Sequence, residues 1–258
     1  MPTLKLDLSA NGIARLTLNR PERHNAFDEA MIGDLTGVFT TLGANPLVRV
    51  VVLNGAGESF CAGGDLNWMQ RAAQKSAAEN AQDALALARM LHAINVCPKP
   101  VIALIQGACF GGGVGLAAAC DMVIAAPDAR FGLTEVRLGL IPAAISPFVL
   151  AKMGTSAARR YFLTGERFSA EEARRLGLVH EVKAGLDAAA APLIDALLAS
   201  GPEAVADAKA LIADVAGRFV DEDLLGLTAQ RIAARRACDE GREGIAAFLE
   251  KRKPGWVR

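Results

Sequence analysis

The chain has no excess of either charge, no paired-cysteine spacing and no uninterrupted hydrophobic leader, and each absence removes a class of function. Lys plus Arg and Asp plus Glu number 28 each among 258 residues. No overall field therefore draws the chain to nucleic acid or to an anionic membrane, and neither partner is expected. A phosphate site would have to be built locally, from backbone amides and a few placed cations. The five cysteines, Cys61, Cys97, Cys109, Cys120 and Cys238, are odd in number and contain no CxxC. They predict buried free thiols in a reducing, cytoplasmic compartment. Met1 to Leu8 alternates polar and apolar residues without a continuous apolar stretch, so no secretion signal is read there. The absence of HExxH and of clustered Cys/His ligands gives no reason to expect a metal.

Catalytic signatures are missing too. No Gly-rich loop ends in Gly-Lys-Ser/Thr, and no GxGxxG opens a helix with an acidic residue at the expected distance, which demotes nucleotide hydrolysis and dinucleotide binding. There is no GxSxG elbow, and none of His24, His92 and His180 lies in a triad signature. His92 and His180 read as structural. His24, beside Arg20 and Arg23, reads as a positioning residue. Val101 to Cys120 has the length of a membrane span, but Gln106 and five glycines between Gly107 and Gly115 interrupt it. A buried strand, a sharp turn and a buried helix fit better.

What is present is an alternation of strand and helix. Leu4, Leu6 and Leu8 alternate toward Asn11-Gly12, and Leu16 and Leu18 follow on the return, a hairpin signal. Asn25 to about Leu42 reads as a helix, Arg49–Leu53 as a buried strand, Gly55–Gly64 as a loop and Ala81–Ile94 as a helix. A strand follows at Val101–Ile105, then a short helix reaching Cys120 and a strand at Met122–Ala126. The alternation predicts an α/β fold with a buried, largely parallel sheet. After Gly177 the pattern becomes helical: Leu186–Leu198, Pro202–Ala216, Leu224–Cys238 and Glu243–Lys251. Pro202–Ala216 carries Ala204, Val205, Ala208, Leu211, Ile212 and Val215 on one face, which needs a surface to cover, either the chain's own body or a neighbouring subunit. The expected division is a core over 1–195 and a helical C-terminal oligomerisation region over 196–258.

Two features carry chemistry on their own. Glycine runs before a helix let a ligand approach backbone N–H groups at its positive end, and Gly111–Gly113 fit; tight strand–helix packing is the equal alternative. Gly63-Gly64-Asp65 invites the same two readings. Glu135 stands in an apolar stretch from Phe131 to Pro142. Burial there raises a carboxyl toward the range useful for proton transfer. An ion pair with Arg137, or a cap on the following turn, is the competing account.

Taken together, LNRPERHNAF, FCAGGDL, QGACFGGGVGLAAACDMVIA, FGLTEVRLGLIP and the closing FLEKRKPGW resemble the enoyl-CoA hydratase/isomerase (crotonase) superfamily along nearly the whole chain. The resemblance implies a spiral of ββα repeats with a C-terminal helical trimerisation region, and homotrimers or hexamers. It implies an acyl-CoA substrate and no separate cofactor. Two backbone donors for the thioester oxygen fall on Gly64 and Gly112, and being main-chain they are expected to tolerate any small residue. Ala62, Asp65 and Leu66 match the adenine-binding loop. Arg23, His24 and Ala26 match the segment near pantetheine and pyrophosphate. Phe248 and Lys251 match tail residues that reach coenzyme A, and Glu135 is the catalytic carboxylate.

One departure matters. Typical hydratases of that superfamily carry a second glutamate where this chain has Gly115. A 3-enoyl/2-enoyl-CoA isomerase using Glu135 alone, or a non-catalytic acyl-CoA-binding homologue, therefore stands beside the leading reading of an acyl-CoA hydratase. TEVRLGLIPAAISPFVLAKMG and the Ser146-Pro147 pair look most like bacterial hydratases of 3-methylglutaconyl-CoA or isohexenylglutaconyl-CoA. Arg137 is then a candidate for a second substrate carboxylate, and Ser146 for holding water.

Overall fold

A computed structural model describes residues 3–257. The chain opens as a hairpin, β1 (Leu4–Leu8) antiparallel to β2 (Ile13–Leu18), with Gly12 at φ 89° in the turn. From β2 onward every pairing in the main sheet is parallel. The elements that follow are α1 (Glu29–Ala44), β3 (Val50–Gly55), α2 (Leu66–Ala72), α3 (Ala77–Asn95), β4 (Val101–Ile105) and β5 (Ala108–Phe110). Next come α4 (Gly112–Ala119), β6 (Met122–Ala125), β7 (Arg130–Gly132), α5 (Ser146–Thr164), β8 (Arg167–Ser169), α6 (Ala170–Arg175) and β9 (Glu181–Val182). The helices α7 (Leu186–Ala199), α8 (Pro202–Val215), α9 (Glu222–Ala237) and α10 (Asp239–Leu249) complete the chain.

The strands divide between a six-stranded sheet, β1-β2-β3-β4-β6-β9, and a three-stranded sheet, β5-β7-β8. The chain feeds them in turn: β4 then β5 then α4, and β6 then β7 then α5. Earlier turns place single bridging residues where the later ones place short strands, Phe27 pairing with Gly64 and Cys61 with Cys109. The ββα repeat is thus physical, each turn leaving one strand in either sheet.

The main sheet is covered on both sides, so its strands read as unbroken apolar runs. Val51, Leu53, Val101, Ala103 and Ile105 face a large core closed by Leu35 and Phe39 of α1, Leu91 of α3 and Leu116 of α4. Val50, Val52, Ile102, Leu104 and Ile124 face the other way, against Leu193, Ile194 and Leu197 of α7. The short α4 is apolar all round because it is buried all round, Gly113 to Ala119 included.

Two expectations need correction. The first helix begins at Glu29 rather than Asn25, capped by Asp28, whose Oδ1 accepts from Met31 N at 3.1 Å. His24 and Asn25 are left-handed at φ 49° and 54°, and Phe27 N donates to Gly63 O at 3.0 Å, which withdraws this segment from the helix. The cysteines are all free thiols, but Cys238 is only partly buried; its sulfur accepts from Gly241 N at 3.2 Å to cap α10.

The C-terminal helices hold few buried side chains, Leu224 and Ala247 among them. The expected apolar row of α8 is present, but Ile212 is 70% exposed, so this chain does not cover it. The helices are tied to the body by polar contacts. Lys209 Nζ lies 2.7 Å from Asp121 Oδ2, and Arg49 Nη2 donates to Ser200 O at 2.7 Å and Leu198 O at 3.2 Å. Trp256 Nε1 returns to Ala199 O at 3.0 Å. No helix among the described residues is long and apolar enough to cross a membrane.

Arg49 joins the first residues of the main sheet to the end of α7. Arg49→Met is expected to destabilise the fold by about 1–3 kcal/mol, because the carbonyls it serves lose a charged donor. The midpoint of urea unfolding measures this, and an unchanged midpoint would show that water replaces the guanidinium without loss.

Candidate active site

The site is assembled where two successive turns of the spiral run side by side. Cys61 N donates to Ala108 O at 3.1 Å, and Phe110 N donates back to Cys61 O at 3.0 Å. Cys61 and Cys109 are the bridged partners, and Gly64 and Gly112 each follow three residues later. Equal offsets from a shared pairing bring the two glycines into one neighbourhood: a Cβ built on Gly63 would stand 3.9 Å from Gly112 N. Gly112 is the first residue of α4, so its N–H has no acceptor within the helix. The backbone hydrogen bonds around Gly64 run from Phe27 N to Gly63 O and from Asp65 N to Phe27 O, and step over Gly64 N. Both amides lack an internal acceptor among the described residues.

The glycines are there for space as well as conformation. Gly63 and Gly111 adopt φ of +99° and +51°, which side chains rarely take. A Cβ on Gly112 would lie 2.0 Å from Phe27 Cζ. Gly112 is therefore not interchangeable with another small residue, contrary to expectation, because Phe27 is fully buried and fills that volume. Gly64 is less confined, its nearest neighbours being the Trp68 ring atoms at 3.3 Å.

Glu135 opens a short 3-10 helix, Glu135–Leu138, one turn of the spiral further on. Gly111 N donates to Gly132 O at 2.8 Å, and this bond draws the glutamate over the glycine run. Glu135 Oε1 comes within 3.1 Å of where a Cβ on Gly111 would be, and Oε2 is buried without a hydrogen-bond partner. Burial pushes the carboxyl above its ordinary range. The ion-pair account does not hold, since no salt bridge joins it to Arg137 among the described residues; its own backbone N–H at the start of the turn lowers the pKa, but less than burial raises it. Arg137 is exposed and packs near Gly165 instead. At Gly115 a Cβ would meet Ile145 Cγ2 at 2.4 Å and Leu91 Cδ1 at 3.5 Å, so Ile145 fills that space.

Asp65 is a clamp. Its Oδ2 receives Arg20 Nη2 at 2.9 Å and Arg23 Nη1 at 2.8 Å, while Oδ1 accepts from Asn67 N at 2.9 Å and Trp68 N at 3.3 Å to cap α2. Burial alone would raise this carboxyl, but Arg23 and the two amides outweigh it and hold it below the usual range. Asn25, fully buried, accepts from Arg20 N at 2.9 Å and donates to Ala56 O and Ser59 O, both at 2.8 Å. Arg20 and Asn25 lie inside the LNRPERHNAF segment, yet their roles went unread, because the side chains act across loops far apart in sequence. Phe27, Trp68 and Ile145 are apolar side chains that carry no chemical signal in the sequence.

The remaining candidates fall into two groups. His24, with Nδ1 3.0 Å from Ser59 Oγ, accepts Ala62 N on its carbonyl, which sets the loop bearing Ala62, Gly63 and Gly64. Ala26 gives its carbonyl to Arg20 Nη1 at 2.7 Å, and Leu66 is 76% exposed at the start of α2. Arg23, half exposed, borders the same loop. Phe248 and Lys251 are not brought to this cluster by any recorded hydrogen bond; Phe248 is 82% exposed, and Lys251 N donates to Phe248 O at 3.2 Å. The closing segment instead folds back on itself, with Arg252 on Glu243 at 2.6 Å. Ser146 Oγ donates to Ala143 O at 2.8 Å. Burial pushes the thiols of Cys61 and Cys120 up to about 12, so neither is an available nucleophile.

A family model described as enoyl-CoA hydratase/isomerase matches residues 9–258. The chain is 37% identical over 245 residues to a putative enoyl-CoA hydratase of Thermus thermophilus, covering 94% of this chain and 96% of the relative. It is 32% identical over 262 residues to a peroxisomal Delta(3,5)-Delta(2,4)-dienoyl-CoA isomerase of Arabidopsis thaliana, covering 96% of this chain and 94% of that protein. The crystal structure of an enoyl-CoA hydratase from Shewanella pealeana superposes with a TM-score of 0.96 at 44% identity, covering 98% of this chain and 96% of the other.

Two outcomes follow from the packing. Gly112→Ala is expected to lower stability by about 1–3 kcal/mol through overpacking against Phe27, and Gly64→Ala to cost less, in thermal unfolding. Equal effects would remove the distinction between the two positions. Asp65 has a depressed folded pKa, so its clamp contributes above the unfolded value and fades as pH falls through the folded one. The stability gap between the native protein and Asp65→Asn is therefore largest at neutral pH and closes below about pH 4. A gap that does not narrow at all as pH falls below about 4 would attribute the effect to packing rather than charge.

Proposed function

The chain belongs to the enoyl-CoA hydratase/isomerase family, and within it we propose that this protein adds water to a 2-enoyl-CoA thioester through an enolate held by the Gly64 and Gly112 amides. The observation that carries the proposal is Glu135: a half-buried carboxylate, raised in pKa, with a buried and unpartnered oxygen beside the glycine run that supplies those amides. Attack of water on Cβ moves the π pair onto the thioester oxygen, where two fixed donors favour the new charge. Donors of this kind contribute about 3–4 kcal/mol each at the transition state. The water gives its proton to Glu135, and Glu135 passes a proton to Cα as the enolate collapses, so one carboxylate balances the reaction.

Phosphate recognition falls to the backbone and to Arg23 and His24 at the rim of the loop, with Asp65 holding the Arg23 guanidinium in place. The exposed apolar positions of α8–α10, Ile212, Leu225, Ile232 and Phe248 among them, support packing against further copies of the chain, as a trimer or hexamer. Such packing is also how Phe248 and Lys251 would reach a coenzyme A site of another copy, since Phe248 is open to solvent in the single chain. A 3-methylglutaconyl-CoA or isohexenylglutaconyl-CoA substrate fits the wording of the Glu135 and Ser146-Pro147 segments.

A second reading is favoured by Ile145. Because it fills the space beside Gly115, no second carboxylate can hold water there, and a lone glutamate suffices to move a double bond. Glu135 then takes a proton from C2 of a 3-enoyl-CoA and returns it to C4, with the same amides holding the dienolate.

Purified protein with crotonyl-CoA, 3-methylglutaconyl-CoA and a 3-enoyl-CoA separates these readings by loss or gain of the enoyl-thioester absorbance. Turnover of the 3-enoyl substrate alone would replace the first reading with the second. Binding without turnover would leave an acyl-CoA-binding protein. Glu135→Gln is expected to lower kcat by about 10²–10⁴ while coenzyme A affinity is retained. Because the folded pKa of Glu135 is raised, the basic form is lost as pH falls through that raised value. The acid limb of kcat should therefore lie above the ordinary carboxylate range, and a limb at or below it would argue against Glu135 as the base.

A further inference from the structure

The Gly64 and Gly112 amides stand on different turns of the spiral, and the Cys61–Cys109 bridge fixes their register along the strands. The bridge does not fix how the two turns are spaced at the glycines, three residues beyond it. Phe27, which belongs to neither turn, touches both glycines. Its main chain brackets Gly64: Phe27 N donates to Gly63 O at 3.0 Å, Phe27 O accepts from Asp65 N at 2.9 Å, and Phe27 and Gly64 are bridge partners. Its side chain reaches the other turn. A Cβ on Gly112 would lie 2.0 Å from Phe27 Cζ, 2.6 Å from Cε1 and 3.3 Å from Cε2, so the tip of the ring rests against the Gly112 backbone.

The ring has no room to retreat, for Phe27 is 1% exposed within the main core. Arg20 holds the chain on either side of it. Its Nη1 donates to Ala26 O at 2.7 Å and lies 3.0 Å from Asp28 Oδ2, while Nη2 lies 2.9 Å from Asp65 Oδ2. Trp68 packs on the same aromatic group, its ring centroid 6.1 Å from that of Phe27 and its Cε3 and Cζ3 3.3 Å from where a Cβ on Gly64 would be. The buried Nε1 of Trp68 has no hydrogen-bond partner among the described residues, so the indole is seated by packing rather than by a polar contact. A rigid ring, tied at its backbone to one amide's loop and pressed at its tip on the other amide's helix, transmits position between them because a close-packed interior does not yield.

We infer that Phe27 is a positioning residue: its ring sets the separation of the Gly64 and Gly112 N–H groups and so their convergence on one oxygen. This rests on the enolate reading above and adds to it the element that holds the two donors at one spacing.

Exchanging volume between positions 27 and 112 tests the inference. Phe27→Leu keeps the backbone bonds and removes the ring tip. It is expected to lower kcat about tenfold to a hundredfold, less than the loss of a whole donor, with KM and the affinity for butyryl-CoA nearly unchanged. Gly112→Ala is expected to lower kcat as well, because its Cβ needs the space that the ring tip fills. In Phe27→Leu/Gly112→Ala the added methyl takes the vacated space, and kcat is expected to return to within about threefold of native. A double variant that regains thermal stability without regaining kcat would overturn the inference, as would native kcat in Phe27→Leu. Should Phe27→Leu not fold, Phe27→Met, which also lacks the rigid ring, carries the same expectation.

A second readout needs no turnover. Acetoacetyl-CoA loses a C2 proton to give an enolate, whose near-ultraviolet absorbance reports the charge that the two amides would stabilise. The native protein is expected to raise the enolate fraction of the bound ester at a given pH, and Phe27→Leu to lower the bound enolate-to-keto ratio about tenfold. An equal ratio in both proteins would overturn the inference and leave the enolate reading standing. A native protein that neither turns over an enoyl ester nor favours the bound enolate would remove that reading, and the inference with it.

Discussion

The pairing of Cys61 with Cys109 is the constraint on which the site depends. It locks two neighbouring turns of the chain in register, and because register in a sheet has a period of two, a slip of one residue would turn every side chain over. With that register held, Gly64 and Gly112 fall at matching distances beyond the bridge. The next turn is tied on by Gly111 N to Gly132 O, which delivers Glu135 to the same place. Three residues spread over little more than a quarter of the chain, from Gly64 to Glu135, thus meet through backbone bonds alone. The side chains at the bridge are buried thiols with no chemical part to play, and their small apolar volume lets the turns approach.

Close approach has a cost that the surrounding residues offset. Two backbone N–H groups, one carboxylate oxygen and the indole N–H of Trp68 stay unpartnered among the described residues. Asp65 offsets part of this by binding Arg20, Arg23 and the start of α2 at once, and Asn25 does so by serving three backbone groups. These networks hold the loops rigid while leaving the amides free. The same crowding restricts chemistry. Ile145 seals the volume beside Gly115, so in the proposed chemistry proton transfer falls to Glu135.

The helical end of the chain obeys different physics. Its contacts with the body are mainly polar and peripheral: Lys209 to Asp121, Arg49 to the end of α7, and Trp256 to Ala199. Its apolar positions remain largely exposed. Neither core cluster contains a residue of α8–α10, and the apolar face of these helices stays open in the single chain.

Much of this was written in local pattern. The buried strands at Val50 and Val101 showed as apolar runs, the four C-terminal helices as periodic ones, and the glycine run and Glu135 as anomalies within apolar sequence; a strand, a helix or an unpaired carboxylate is recognisable from its immediate neighbours. Helix α1 starts later than its local pattern suggests because Asn25 is drawn away by Ala56 and Ser59, 31 and 34 residues along the chain. The strict need for glycine at 112, the sealing of 115 by Ile145 and the orphaned N–H of Trp68 left no trace in the sequence. Each is a statement about volume or an absent partner, and such quantities exist only once separate turns of the chain have packed together.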